Sequence, residues 1–157
     1  MSEPVVSVRD LHKSFGSNAV HRGISFDLHR GETLVLLGPS GTGKSVLIKT
    51  IIALLTPDQG EVTVFGQPIH RLPADALRAL RIRMGFSFQH SALYDSMTVA
   101  ENLAFPLEMN RPDLSDEEIS ERVTAVLEDV GLPDTRDQMP ASLSGGQRKR
   151  IGVARSL

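Results

Sequence analysis

The chain has 157 residues, about the size of one modest domain and enough for a hydrophobic core. Its net charge of −2 gives no overall attraction to nucleic acid or anionic lipid, and its zero cysteines exclude disulfides and thiolate zinc sites. The longest apolar run, residues 46–55, is short and contains Lys49, so no stretch has the length that a membrane span requires. The first residues lack the basic and then apolar layout of a signal peptide, so no leader is expected.

Two strands are predicted near the start of the chain. Residues 5–11 alternate apolar and polar side chains, which is typical of a half-buried strand, and residues 24–28 predict a second strand. The run Phe-Gly-Ser-Asn at residues 15–18 predicts a turn after the first of them. We therefore expect the opening of the chain to be antiparallel β-structure.

A glycine-rich stretch follows a third apolar run, residues 33–37. Residues 38–45 have the pattern Gly-x-x-x-x-Gly-Lys-Ser, and residues 46–55 predict a helix directly after it. In this order of strand, loop and helix, the glycines let successive N–H groups point at phosphate oxygens, and the helix adds the positive end of its dipole. Lys44 is then placed to reach the outer phosphates and Ser45 to ligate Mg²⁺. The alternative is an ordinary glycine-rich turn before a core helix.

The chain then returns briefly to β-structure. Residues 61–65 predict a strand, residues 72–83 a weakly amphipathic helix, and residues 83–89 a further strand that stops at Gln89.

From there the pattern becomes helical. Residues 98–107 predict a short helix ended by Pro106. Ser115 begins a capping box before the clearest amphipathic helix of the chain, which stops at Gly131. A last helix is predicted from Ser144 to the final residue.

Residues 143–147 read Leu-Ser-Gly-Gly-Gln and form the second informative stretch. Ser144 and Gln147 have the spacing of a capping box, which needs no function. That does not explain Gly145 and Gly146, because each glycine costs a helix roughly 1 kcal/mol compared with alanine. Glycines at a helix start let another group approach closely, so capping and anion binding can use the same N–H groups.

These motifs together resemble the nucleotide-binding domain of an ATP-binding cassette (ABC) transporter. The phosphate loop alone is shared with kinases, GTPases and other ATPases, whereas Leu-Ser-Gly-Gly-Gln in this order is specific to the ABC family. The resemblance covers the chain from about residue 5 to residue 157. Within the family, residues 88–107 and the basic start of the last helix are most similar to lipid transporters of the lipid-asymmetry or mammalian-cell-entry type.

The resemblance implies ATP and Mg²⁺ as cofactors and assigns roles to individual residues. Lys44 and Gln89 would be catalytic, Ser45 and Gln89 would contact Mg²⁺, and Phe15 would stack on adenine unless it is simply a core or turn residue. The residues implied to bind nucleotide are Phe15, Gly38, Pro39, Ser40, Gly41, Thr42, Gly43, Lys44, Ser45, Ser144, Gly145, Gly146 and Gln147.

The resemblance also implies partners. Two such domains would hold two ATP molecules head to tail, most simply as a homodimer, and would work with transmembrane permease subunits on the inner face of the cell membrane. The domain would be cytoplasmic, with no membrane insertion of its own. Nucleic acid is not an expected partner: the basic run at residues 148–150 has no aromatic platform beside it. The five histidines show no metal-ligand spacing.

The expected fold is α/β: a P-loop NTPase (RecA-like) core with an antiparallel β flank at residues 1–88, and a helical subdomain at residues 89–157. In the family, Leu-Ser-Gly-Gly-Gln is the signature motif, and the helix that it begins is the signature helix. Family members continue past this helix to a strand ending in Asp-Glu and to a catalytic histidine, which this sequence lacks. We therefore expect the chain to be truncated after the signature helix, not competent for hydrolysis alone and unstable in isolation. Two other functions stay open: a soluble ABC-type ATPase acting on ribosomes or DNA, and a nucleotide-binding module without hydrolysis.

Overall fold

The computed structural model describes residues 3–87 and 92–156, and the chain divides into two compact units, Met1–Arg81 and Ile82–Leu157. The first unit contains four strands and the second contains the longest helices. The strands are β1 (Val6–Phe15), β2 (Asn18–Leu28), β3 (Gln59–Val64) and β4 (Gln67–Pro68). The helices are α1 (Lys44–Ile51), α2 (Ala74–Ile82), α3 (Val99–Asn110), α4 (Asp116–Asp129) and α5 (Gly145–Ala154). Short 3-10 turns occupy Ile69–Arg71, Pro133–Thr135 and Pro140–Ser142.

The four strands form an antiparallel sheet in the order β2-β1-β3-β4. The predicted antiparallel opening is confirmed, but β1 and β2 are longer than predicted. They form one hairpin in which Phe15 pairs with Asn18 across the turn, so the ladder continues to the end of both strands. Strand β1 buries Val8 and Leu11, and β3 buries Val62 and Val64, which are two residues apart and so share one face of the sheet. Strand β3 packs on α1 and on the 3-10 turn Ile69–Arg71.

Helix α1 is shorter than the predicted helix at residues 46–55. It ends in a Schellman motif: Ala53 has the left-handed φ of 57°, Leu54 N–H donates to Lys49 O at 2.8 Å, and Ala53 N–H donates to Thr50 O at 3.0 Å. Arg81 of α2 donates to the carbonyls of Ile52 (3.0 Å) and Ala53 (2.8 Å). A cation therefore lies at the negative end of the α1 dipole.

The predicted strands at 33–37 and 83–89 are not formed in the described residues. Residues 32–39 and 83–87 have no regular secondary structure, and 88–91 lie outside the described residues. An extended segment becomes a strand only when another segment accepts its backbone hydrogen bonds. Leu37 is 88% exposed, and Leu34 and Val35 line an apolar groove of about 520 Å³ beside α1. Ile48 of α1 is also exposed.

The second unit is built on α3, α4 and α5, which share one core. That core comprises Val99, Leu103, Ile119, Val123, Leu127, Leu132, Leu143, Ile151 and Ala154. The α4 capping box is confirmed in both directions, with Ser115 N–H donating to Glu118 and Glu118 N–H donating back to Ser115 Oγ. The prediction that Pro106 ends α3 is wrong. The helix continues to Asn110, whose amide donates to Pro106 O at 2.9 Å.

Asn102 holds the start of α3. It is fully buried, accepts from Tyr94 N–H at 2.7 Å, and donates to the carbonyls of Tyr94, Met97 and Thr98 at 2.9–3.1 Å. Every polar atom of the side chain is used, so its burial is compensated. Within residues 3–87 and 92–156, no helix combines the length and apolar character needed to cross a bilayer.

Candidate nucleotide-binding site

The glycine-rich loop at residues 38–43 leads into the N-terminus of α1. Gly43 is the N-cap, with a left-handed φ of 92°, and no side chain caps the helix. Gly41 also has a left-handed φ, of 83°. Because no side chain caps this end, the first N–H groups of α1 are available to an anion at the positive end of the helix dipole.

Lys44 places its ammonium over this loop. Its Nζ donates to the carbonyls of Gly38 and Pro39, each at 2.7 Å, and Thr42 Oγ1 donates to Pro39 O at 3.0 Å. The charge is thus held over the same turn that presents the helix N-terminus. Ser45, the next residue, is exposed, and its hydroxyl oxygen is the hard ligand type that Mg²⁺ prefers. Among the described residues, no group of three or more His, Asp or Glu side chains is placed to hold a metal ion.

The back of the loop packs against β2. A Cβ added to Gly43 would overlap Val20 Cγ1 and lie 2.8 Å from His21 Nε2. His21 Nε2 is 3.1 Å from the Gly43 carbonyl oxygen. Glycine is therefore required at position 43 both by the backbone angle and by the space available.

Phe15 lies at the end of β1, and the residue is 48% exposed. Lys13 Nζ is 5.4 Å from the ring centroid. Asp58 anchors this strand end: its carboxylate accepts from Lys13 Nζ (2.9 Å) and Ser14 N–H (2.6 Å), and its own N–H donates to His12 O (2.9 Å). The hydrogen bond from Lys13, followed by that from Ser14, lowers the pKa of Asp58 below its usual value. An exposed ring on an anchored strand end can stack on a planar base.

The signature stretch forms the N-terminus of α5 in the second unit. Ser144 is the N-cap, its N–H donates to Gln147 Oε1 at 2.8 Å, and Gln147 N–H donates to Ser144 Oγ at 3.2 Å. A Cβ added to Gly145 or Gly146 would meet nothing within 4 Å among the described residues. The two glycines leave an open approach to the helix start, and the Ser144 hydroxyl can still donate its hydrogen while its oxygen accepts.

Two arginines of α5 and the arginine that follows the helix make hydrogen bonds within the second unit. Arg148 donates to Leu143 O at 2.7 Å, Arg150 to Val130 O at 2.9 Å, and Arg155 to Ala92 O at 2.7 Å. These guanidinium groups satisfy backbone carbonyls of the surrounding loops.

Phe15 and residues 38–45 lie in the first unit, and residues 144–147 lie in the second. Gln89 lies outside the described residues. His21 and Asp58 were missed in the sequence, because their partners lie 22 and 44–45 positions away and include backbone groups. The only signal available was a histidine and an aspartate on either side of the loop and α1.

A phosphate loop and a Leu-Ser-Gly-Gly-Gln helix start in one chain define a class of nucleotide-binding protein. Residues 21–157 match the family model described as ABC transporter, and the chain belongs to this family. It is 42% identical over 156 residues both to the chloroplastic protein trigalactosyldiacylglycerol 3 of Arabidopsis thaliana and to the methionine import ATP-binding protein MetN of Brucella abortus. These matches cover 99% of the chain but only 45% and 42% of those relatives, so the chain spans less than half their length.

A solved structure gives the same fold. It is a dimeric post-hydrolysis state of the ATP-binding cassette MJ0796 bound to ADP and Pi, with 31% identity and a TM-score of 0.86 over 97% of this chain and 68% of that one. The fold of this chain is therefore that of an ABC cassette, with its antiparallel β flank and helical part.

Proposed function

We propose that this chain is the nucleotide-binding part of an ABC-transporter ATPase subunit, which couples ATP binding and hydrolysis to transport across a membrane. The observation that carries the proposal is the loop at residues 38–43, which presents an uncapped helix N-terminus with the Lys44 ammonium above it. ATP would exchange the Lys44 bonds to loop carbonyls for bonds to phosphate oxygens. Phe15 would stack on the adenine ring.

Mg²⁺ would be held by Ser45 and Gln89 together with the phosphates, where it would neutralise charge on the oxygens that surround the reacting phosphorus. Lys44 and Gln89 are the proposed catalytic residues of this chain. Lys44 stabilises negative charge on the outer phosphates, and Gln89 orients water. We further propose residues 1–88 as the ATP-binding core and residues 89–157 as the helical subdomain that contacts the transporter.

We also propose a head-to-tail dimer in which residues 144–147 of one copy bind the outer phosphate of the ATP that the other copy holds. The dimeric relative bound to ADP and Pi supports it, as do Gly145 and Gly146, whose missing side chains leave the start of α5 open. The proposed partners are therefore a second cassette and transmembrane permease subunits, with the cassette on the cytoplasmic face of the membrane.

For the cargo we propose a lipid. Similarity of residues 88–107 to lipid transporters supports this choice, as does the relative named for trigalactosyldiacylglycerol. The relative named for methionine import has the same identity, so a direct comparison is needed. In vesicles containing the permease, ATP should move a labelled phospholipid between membranes and leave methionine in place. Methionine uptake without lipid movement would overturn the choice of cargo.

Nucleotide binding is tested with two lysines of α1. Lys44→Ala should weaken binding of a non-hydrolysable ATP analogue at least about tenfold, because it removes the cation over the loop. Lys49→Ala is the matched control: it removes the same charge from the same helix, on an exposed residue away from the loop, and should leave affinity within about twofold. Titration calorimetry on the full-length protein measures both. Equal affinities for Lys44→Ala and the unsubstituted protein would refute the proposal.

The dimer is tested with Gly146→Ala. Since the added Cβ meets nothing in the described residues, the helix should gain up to about 1 kcal/mol of stability, while ATP-dependent dimerisation is lost. Val153→Ala, at an exposed position near the other end of α5, is the control and should dimerise normally. Light scattering with and without ATP gives the mass. An ATP-dependent dimer formed by Gly146→Ala would exclude this role for the signature.

A further inference from the structure

His21 is a buried histidine that contacts the phosphate loop from behind. It lies on β2, and the residue is only 4% exposed. Its Nε2 is 3.1 Å from the carbonyl oxygen of Gly43, the N-cap of α1. The same carbonyl accepts from Leu47 N–H at 2.9 Å, so it takes one bond from the helix and one from the sheet.

The contact fixes which ring nitrogen carries the proton. A carbonyl oxygen can only accept, so Nε2 must carry the hydrogen, and the neutral ring is then the Nε2–H tautomer. Nδ1 is then an acceptor, and it is buried with no partner among the described residues. An apolar side chain of similar size would fill this place without an unpaired acceptor. The distinctive contribution of the histidine is therefore the bond to the loop.

The bond joins two parts of the candidate nucleotide site. His21 pairs across the hairpin with Lys13, two residues before Phe15. The neighbouring Val20 packs on Gly43, where it leaves no room for a Cβ. The hairpin that carries the aromatic ring thus holds the turn that presents the helix N-terminus.

We propose that His21 is a positioning residue for nucleotide binding: through the Gly43 carbonyl it sets the place of the phosphate loop relative to the hairpin that carries Phe15. The proposal rests on the proposed function, because it assumes that the loop binds phosphate. His21 touches no nucleotide atom in this role. It orients the Gly43 peptide and the first turn of α1 before the ligand arrives, so less ordering is needed on binding.

The test compares two substitutions in the full-length protein. His21→Leu fills the site without a donor, whereas His21→Gln can place an amide N–H near the position of Nε2. The leucine variant should bind the ATP analogue about fivefold to tenfold more weakly, the range expected for one lost buried hydrogen bond. The glutamine variant should recover most of that affinity. Wild-type affinity in the leucine variant, or equal losses in both variants, would overturn the proposal.

A measurement without substitution tests the same bond. ¹⁵N NMR of the histidine ring should show His21 with its proton on Nε2, and a proton on Nδ1 alone would overturn the assignment. Failure of the proposed function is distinguishable. In that case the unsubstituted protein and Lys44→Ala bind ATP alike, whatever the His21 variants do. If Lys44→Ala loses affinity and His21→Leu does not, only the positioning role is wrong.

Discussion

Gly43→Ala should destabilise the protein more than a glycine substitution elsewhere in the same loop. Two costs add at this position. The left-handed φ of 92° costs an alanine about 1–2 kcal/mol. The added Cβ overlaps Val20 Cγ1 and lies 2.8 Å from His21 Nε2, and forcing a methyl group into packed surroundings costs about 1–3 kcal/mol. The total is about 2–5 kcal/mol, a large fraction of the stability of an ordinary domain.

Gly41→Ala is the matched control, because Gly41 has nearly the same φ, 83°, while its added Cβ meets nothing within 4 Å of the described residues. Only the backbone cost of about 1–2 kcal/mol remains there. The steric part alone should therefore separate the two variants by about 1–3 kcal/mol, or roughly 2–12 °C in thermal midpoint. Scanning calorimetry without nucleotide measures it. Equal midpoints for the two variants would show that contact with β2 does not constrain the loop.

Three further changes follow from single contacts, and a fourth follows from a pKa. Ala53→Gly should stabilise the protein by up to about 1 kcal/mol, because glycine adopts the left-handed φ of 57° without strain. Urea unfolding measures this change, and a loss of stability would contradict the Schellman assignment. Arg81→Met removes two hydrogen bonds to the end of α1 and should cost about 1–3 kcal/mol of stability. The amides of α1 should then exchange hydrogen faster. Unchanged exchange would show that Arg81 does not stabilise the end of α1. Asn102→Leu removes the side-chain partner of several partly buried backbone groups and should cost about 3 kcal/mol in urea unfolding. A near-neutral result would mean that those groups find other partners. The loss of stability caused by Asp58→Asn should be smaller in acid. Because the hydrogen bond from Lys13 lowers the pKa of Asp58, the carboxylate stabilises the fold fully above the ordinary pKa of 3.8. That stabilisation disappears as pH falls through the lowered pKa. The midpoints of this variant and the unsubstituted protein should therefore converge on acidification, and a constant difference between them would refute the linkage.

The parts of the structure that could be predicted are those decided by neighbouring residues. The capping boxes at Ser115 and Ser144 each join residues three apart, so the sequence contains both partners of every bond. The phosphate loop is similar, since its glycines and Lys44 act within one short turn. Within the candidate site, the phosphate loop and the Ser144 capping box could therefore be predicted from residue spacing alone.

The parts that failed depend on distant partners. The apolar run at residues 33–37 satisfies a strand pattern, but nothing in a local pattern says whether another segment pairs with it. Pro106 shows a different limit: a proline lacks one hydrogen bond, yet α3 continues because its other turns remain packed on the core of the second unit. His21 and Asp58 act on residues far along the chain, so no short motif marks them.

The glycines of the two motifs have different physical causes, and the difference bears on function. Glycine is required at position 43 by contacts within the chain itself, because its φ and the contact with β2 leave no place for a side chain. Gly145 and Gly146 have neither a left-handed φ nor a neighbour that a Cβ would meet in the described part of the chain. Within α5 they only weaken the helix, by roughly 1 kcal/mol each relative to alanine. The contacts within the described residues therefore do not explain why glycine stands at these two positions. The dimer proposed above would explain it, because a phosphate bound by a second copy would approach the start of α5 to backbone distance.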